Sequence, residues 1–290
     1  MLSRILIMTD ASEASDHMLD CVKKLHHVGS QEAVLVHAMD IENIGGLYET
    51  LKSQLLPELQ AQKQALEQAG FDVSLEIPLG IPFREVERLA AEHQISVIVV
   101  GSHGHSLMRD IMLGSTACAL LQNTRFPVLL ARLELIESEV GLSCDTVCEN
   151  LFQHILFPTD FSDTAERAFQ YLQHIVAETK TAVTLLHVQD KAYFIGEQKQ
   201  QLQQFDQVDR ERLERMQQQL LQRGANRVDT EIAYGSPTEI ILQQSRQDEF
   251  SMILMGAQGR GFIAEIFQGS VAHNIARLAP LPVLFIPALR

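Results

Sequence analysis

Short, unbroken apolar runs punctuate this chain, separated by longer stretches in which apolar residues return every three or four positions. ILIM (5–8), the AVLV of AVLVHA (33–38) and VIVV (97–100) are such runs, each stopped by a polar residue or glycine. Runs of this length read as parallel strands buried on both faces. The intervening segments read as helices, and their ends carry stop and start signals. Ser12 precedes the first helical stretch as an N-cap, and Ser162 with Asp163 does the same later. Long polar helices are predicted over 48–69 and 198–222, closed by Gly70 and Gly224. DVSLEIPLG and VDTEIAYG alternate apolar and polar residues as edge strands do, and Pro82 and Pro237 then open helices at their first position. A Pro-Val strand ends each series, in RFPVLLA (125–131) and LPVLFIP (281–287). Strands alternating with helices predict an α/β fold, a doubly wound parallel sheet with helices on both faces.

The series occurs twice. RILIMTDASEASDHML aligns with HILFPTDFSDTAERAF, pairing Asp10 with Asp160, and the strand-two histidines His37 and His187 also pair. The offset is 150 positions at Asp10 and 155 at Gly101, so about five residues are inserted in the middle segment of the second copy. Two domains follow, 1–132 and 151–290. The acidic stretch 133–150, which lacks strong periodicity, reads as the linker, long enough to carry some structure of its own.

Composition narrows the functional classes. A net charge of −14 argues against nucleic acid, which demands clustered Lys and Arg. No window is apolar enough to insert in a membrane, and the N-terminus already reads as a strand rather than a signal peptide. The four cysteines, Cys21, Cys118, Cys144 and Cys148, are few, and a reduced, cytoplasmic protein is the simpler expectation. Cys144 and Cys148, with His154 nearby, offer a loose alternative as a metal or redox pair. No metal centre is otherwise indicated.

The candidate chemistry lies at the ends of the strands. VIVVGSHGHSLMRDIMLGSTA and MILMGAQGRGFIAEIFQGSVA share G-x-x-G-x9-G-S at identical spacing. A glycine pair lets a ligand approach the backbone, and a Gly-Ser helix start presents unpaired N–H groups to an anion. Ligands of open α/β sheets sit beyond the carboxyl ends of the strands, where Asp10 or Asp160, the end of strand two and the glycine loop converge. Together these could cradle a nucleotide: a carboxylate for a ribose hydroxyl or base amine, backbone for the base edge, the loop for phosphates. A plain N-cap explains the aspartates as well, and a satisfied core histidine is the simpler account of His37 and His187. The loop is neither a Walker A nor a dinucleotide fingerprint.

On these motifs each half resembles the universal stress protein family, in its ATP-binding branch, over about 1–132 and 151–290. The resemblance implies two Rossmann-like domains of the adenine nucleotide alpha hydrolase type, a stress-response role, and ATP or AMP as ligand, with magnesium accompanying ATP. It implies binding by Asp10, Ala38, Val100, Gly101, His103, Gly104, Gly114, Ser115 and Thr116 in the first half. In the second half it implies Asp160, Val188, Met255, Gly256, Gln258, Gly259, Gly269, Ser270 and Val271. Arg260 directly follows the second loop, where it is placed to add a charge-assisted bond to a phosphate. Ala117 and Ala272 stand where ATP-binding members often carry a hydroxyl, which makes AMP as plausible as ATP. No general base for hydrolysis is evident, so slow ATP hydrolysis or autophosphorylation on Ser115 or Ser270 is the enzymatic alternative, and a nucleotide-free interaction protein the other. The resemblance further implies an intramolecular pseudo-dimer through the terminal strands, leaving other surfaces for a homodimer.

Overall fold

The computed structural model describes residues 1–40, 47–102, 113–138, 141–146, 151–189, 199–247, 249–258 and 271–289, with the side chains of 133–146 and 199–205 excepted. Two compact units emerge, Met1–Glu149 and Asn150–Arg290. In the first, β1 (Arg4–Met8), α1 (Glu13–Lys24), β2 (Glu32–Val36), α2 (Tyr48–Gln68), β3 (Asp72–Glu76), α3 (Pro82–Glu92), β4 (Val97–Gly101), α4 (Ser115–Asn123) and β5 (Val128–Ala131) alternate along the chain. The strands run in the order β5-β4-β1-β2-β3 and all pair in parallel. Ile5, Leu6, Ile7, Leu35, Val36, Ile98 and Val99 are fully buried, as continuous apolar strands between two helix layers must be.

The second unit repeats the scheme. It comprises β8 (His154–Pro158), α5 (Asp163–Thr179), β9 (Ala182–Gln189), α6 (Lys199–Gln222), β10 (Arg227–Tyr234), α7 (Pro237–Gln244), β11 (Met252–Gly256), α8 (Val271–Leu278) and β12 (Val283–Ile286). Its parallel order is β10-β9-β8-β11-β12. The alternating segments β3 and β10 lie at the outer ends of these orders, where half-exposed residues cost least. No helix among the described residues is long and apolar enough to cross a membrane.

Local signals account for the boundaries. The Ser12 side chain accepts the Ser15 N–H at the start of α1, and Ser162 accepts the Ala165 N–H at the start of α5. Glu13 and Asp16 in the first turn of α1, with Lys23 and Lys24 in its last, complement the helix dipole. Gly70 and Gly224 end the two long helices at φ +97° and +102°, a conformation other residues adopt only with strain.

The segment 133–150, expected as an aperiodic connector, holds an antiparallel hairpin, β6 (Leu133–Ser138) with β7 (Gly141–Thr146), which falls within the first unit and packs on α1. One cysteine expectation is corrected here. Cys21, buried in α1, is disulfide-bonded, while Cys118 is a free thiol. Nothing in the spacing of the cysteines signalled this.

The long helices reveal how far the halves have diverged. Leu59, Gln62 and Leu66 are the buried residues of α2, and Leu213, Met216 and Leu220 occupy the same spacing in α6. Buried Gln62 is satisfied: it accepts from the Thr9 hydroxyl at 2.7 Å and donates to Asp16 at 2.6 Å. Its counterpart Met216 needs no partner. Exchanging the two is therefore expected to be costly in either direction. Gln62→Met strands the Thr9 hydroxyl, and Met216→Gln buries an amide without its partners, each at a cost of about 1–3 kcal/mol, read from urea midpoints.

His154, at the start of β8, is 4% exposed, stacks on Phe250 at 4.6 Å and faces the Thr184 hydroxyl at 2.9 Å. Burial disfavours its charged form and holds its titration below the ordinary imidazole range, against a smaller opposing pull from Glu249. The unfolded chain then takes up this proton more readily than the folded one. Stability is complete above about pH 6.5 and declines as pH falls through the window below it. Urea midpoints of the second unit are expected to drop between pH 7 and pH 5, with a shallower drop in His154→Gln.

Candidate functional site

Strand one of each half ends in a turn built the same way. Ala11 and Phe161 occupy the left-handed region at φ +58° and +56°. For residues with a Cβ this conformation is disfavoured, and surrounding bonds must hold it. Thr9 and Thr159 supply them: their hydroxyls accept the N–H of Ala11 at 3.0 Å and of Phe161 at 3.1 Å. Asp10 and Asp160 add a second bond, accepting the N–H of Ser12 at 3.1 Å and of Ser162 at 3.0 Å. In the first half the same Asp10 oxygen also accepts the hydroxyls of Ser12 at 2.5 Å and Ser15 at 2.6 Å. Ala165 replaces Ser15 in the second half and cannot donate there. The sequence marked both aspartates but not the threonines, whose role depends on a backbone angle no pattern displays.

The histidines tie strand two to this turn. His37 Nδ1 lies 3.0 Å from the Thr9 carbonyl, and His187 Nδ1 lies 2.8 Å from that of Thr159. A carbonyl only accepts, so both Nδ1 atoms carry hydrogen. The next residues, Ala38 and Val188, can be placed by strand alternation. Val36 and Leu186 direct their carbonyls to the N–H of Thr9 and Thr159. Two residues on, Ala38 and Val188 turn their backbone the same way, toward the space that strand one vacates at Asp10 or Asp160.

The third contribution comes from β4 and β11, next to strand one on its other side. Val100 and Met255 are buried in these strands, and Gly101 and Gly256 end them. In the first half the chain returns to the strand end at Gly114, whose N–H donates to the Ser102 carbonyl at 3.0 Å. Gly114 caps α4 without a side-chain bond, and Ser115 follows exposed, with Thr116 half-buried. The N–H groups of Ser115, Thr116 and Ala117 thus stand at the positive end of the helix. Ala117 and Ala272 are buried at 1% and 5% exposure, so their missing hydroxyls fall on the core side. Gln258 is half-buried just beyond β11, and Val271 begins α8. His103, Gly104, Gly259, Arg260, Gly269 and Ser270 lie outside the described residues.

The glycines differ in what requires them. A Cβ on Gly256 would stand 3.0 Å from Thr164 Cγ2 and 3.3 Å from the Thr164 carbonyl carbon, at the start of α5. The strand end and the helix start therefore touch, which brings loop and turn together. Gly114 has an ordinary φ of −64°, and a Cβ there meets only the Ser102 oxygen at 3.8 Å, ordinary contact. Among the described residues nothing in the protein demands glycine at 114. Among them, too, no group of acidic, His and Cys residues could hold a metal ion.

The sequence model of the Universal stress protein family matches residues 1–132 and 151–287. The chain belongs to the universal stress protein family. It contains two copies of a domain that several relatives carry singly. It is 28% identical over 155 residues to a universal stress protein of Methanocaldococcus jannaschii, a match covering 46% of this chain and 96% of that protein. A universal stress protein of Bacillus subtilis is 24% identical over 151 residues, covering 47% and 99%. Among solved structures, a universal stress protein from Archaeoglobus fulgidus spans 99% of both chains with a TM-score of 0.71 at 23% identity, a likeness of fold.

The contrast between glycines is open to measurement. Gly256→Ala forces the α5 start away and is expected to cost about 1–3 kcal/mol. Gly114→Ala is expected to cost no more than about 1 kcal/mol, the scale of a weakened helix cap. Urea unfolding of the two variants beside the wild type checks both.

Proposed function

We propose that each half binds an adenine nucleotide, ATP or AMP, in the crevice between strand one and its glycine-loop neighbour, as a regulatory ligand of a stress-response protein. Asp10 and Asp160 receive ribose or base donors, the backbone of Ala38 and Val188 meets the base edge, and the Gly114–Ser115 helix start takes phosphate, as Gly269–Ser270 does in the second half. The observation that carries this reading is Gly114. The residue heads a helix without a side-chain cap, at a backbone angle any residue could adopt, and among the described residues a side chain there would have room, which a bound ligand would account for.

The halves differ in how their aspartates are engaged. Asp10 commits one oxygen to the hydroxyl of Ser15 as well as to Ser12, and the second half lacks the Ser15 equivalent. Arg260 directly follows the second loop, where it adds a charge-assisted bond to a phosphate, and the second site is the tighter one.

Calorimetric titration with ATP and with AMP near pH 7.5 is expected to show two sites of unequal affinity. Gly114→Val removes the weaker phase and Asp160→Ala the tighter, with folding retained by circular dichroism. A wild-type protein that binds neither nucleotide refutes the reading, and loss of the tighter phase in Asp10→Ala instead of Asp160→Ala reverses the ranking.

A further inference from the structure

Gln189 closes β9 directly after Val188, and its side chain is only half used. The residue is 6% exposed. Its backbone carbonyl accepts the Gly235 N–H at 3.0 Å, so its backbone is turned toward the β10 side and away from strand one. The side-chain amide donates from Nε2 to Asp209 Oδ2, on α6, at 3.0 Å. Its Oε1 is buried and has no hydrogen-bond partner among the described residues. Leaving such an acceptor unmade is costly, and folded proteins keep few of them without a use.

Asp209 settles which end of the amide is which. Its side chain is 14% exposed, and its Oδ2 also lies 3.3 Å from His187 Nε2. An amide turned over would press Oε1 against this carboxylate, so Gln189 presents an acceptor, and only an acceptor, to whatever lies before it. The neighbours place that oxygen. His187 and Gln189 share one face of β9, and the His187 ring lies against Phe161, centroids 4.6 Å apart, in the strand-one turn after Asp160. The orphaned acceptor thus belongs to the strand-two tip, beside the backbone of Val188 that is assigned to the base edge. The first half has Met39, 4% exposed, where Gln189 stands, and by the shared spacing of the long helices it has Leu55 in place of Asp209. Neither offers an oxygen.

We propose that Gln189 is a specificity-determining residue of the second site: its Oε1 accepts one hydrogen of the base's exocyclic 6-amino group, and Asp209 holds the amide in the accepting orientation. This rests on the adenine-nucleotide reading of the crevice. A base with an unsubstituted 6-position leaves the buried acceptor orphaned. A 6-oxo base sets oxygen against oxygen and is rejected more strongly, because the amide cannot turn over to suit it.

Affinities of the second site are read in the full chain from the slowing of amide exchange in residues 159–162 and 186–189 as nucleotide is added. The probes are AMP, purine riboside 5′-monophosphate, which lacks the 6-amino group, and IMP, which carries oxygen there. AMP is expected to bind the wild type about tenfold tighter than purine riboside monophosphate, the scale of a net hydrogen bond. Gln189→Met, which installs the first-half residue, should weaken AMP by about three- to tenfold and leave the unsubstituted nucleotide within about twofold, so the ratio shrinks. Asp209→Asn frees the amide to turn over and donate, and should raise the affinity of IMP relative to AMP by a similar factor. A packing role for Gln189 would weaken AMP and purine riboside monophosphate alike, and a ratio of the two unchanged by Gln189→Met overturns the proposal. An IMP-to-AMP ratio unchanged by Asp209→Asn overturns the orienting role of Asp209. Wild-type protein whose exchange none of the three nucleotides slows refutes the nucleotide reading itself, a failure separate from that of either ratio.

Discussion

Everything at the carboxyl end of each sheet depends on one backbone residue held in the left-handed region. Ala11 and Phe161 take the chain from strand one into the first helix within a single step, so that the aspartate before them stays at the strand tip. For an L-residue this conformation costs on the order of 1 kcal/mol, which the threonine and aspartate bonds on either side of it offset. The histidine of strand two then locks onto the same turn through the threonine carbonyl. Three short polar side chains and one imidazole thereby fix the geometry that a ligand would meet before any ligand arrives.

This arrangement explains why the two halves can differ so much in composition around an identical frame. The turn is over-determined by local bonds, so its outer neighbours are at liberty to change. In the first half Gln62 reaches down from the long helix to Thr9 and Asp16. In the second, Met216 packs at that level, and a separate contact one to two turns earlier on the helix, Asp209 with His187, joins helix to strand. The same helix is fastened by an amide to the strand-one turn in one case, and by a carboxylate to the strand-two histidine in the other.

Most of the frame was legible because it rests on period and punctuation. Short, β-branched apolar runs such as VIVV read as strands buried on both faces, and Ser12, Pro82 and Gly70 mark helix ends by mechanisms that act within a few residues. The features that escaped are those requiring contacts distant in sequence. LELIES and GLSCDT are short and mixed in character, and they pair only once a helix lies beneath them. The disulfide at Cys21 likewise joins residues whose pairing no local pattern displays. Of the site, the aspartates and glycines announced themselves by repetition, and so did His37 and His187, whose role as ties between strands is the plainer of the two readings they allowed. Thr9 and Thr159 were equally repeated, yet a threonine beside an aspartate carries no signal until the backbone angle after it is known. Asp209 was invisible for the opposite reason: it has no counterpart, and one acid in a polar helix looks like solvent-facing charge.

Phe161 has a consequence for how the protein can be watched. The chain contains no tryptophan, and this ring, at the strand-one turn of the second half, meets both strand two and the long helix. An indole placed at 161 would be the sole tryptophan emitter in the molecule, set against the His187 ring as Phe161 is. Its emission would give the second half an optical voice of its own, readable in the intact chain without separating the two domains.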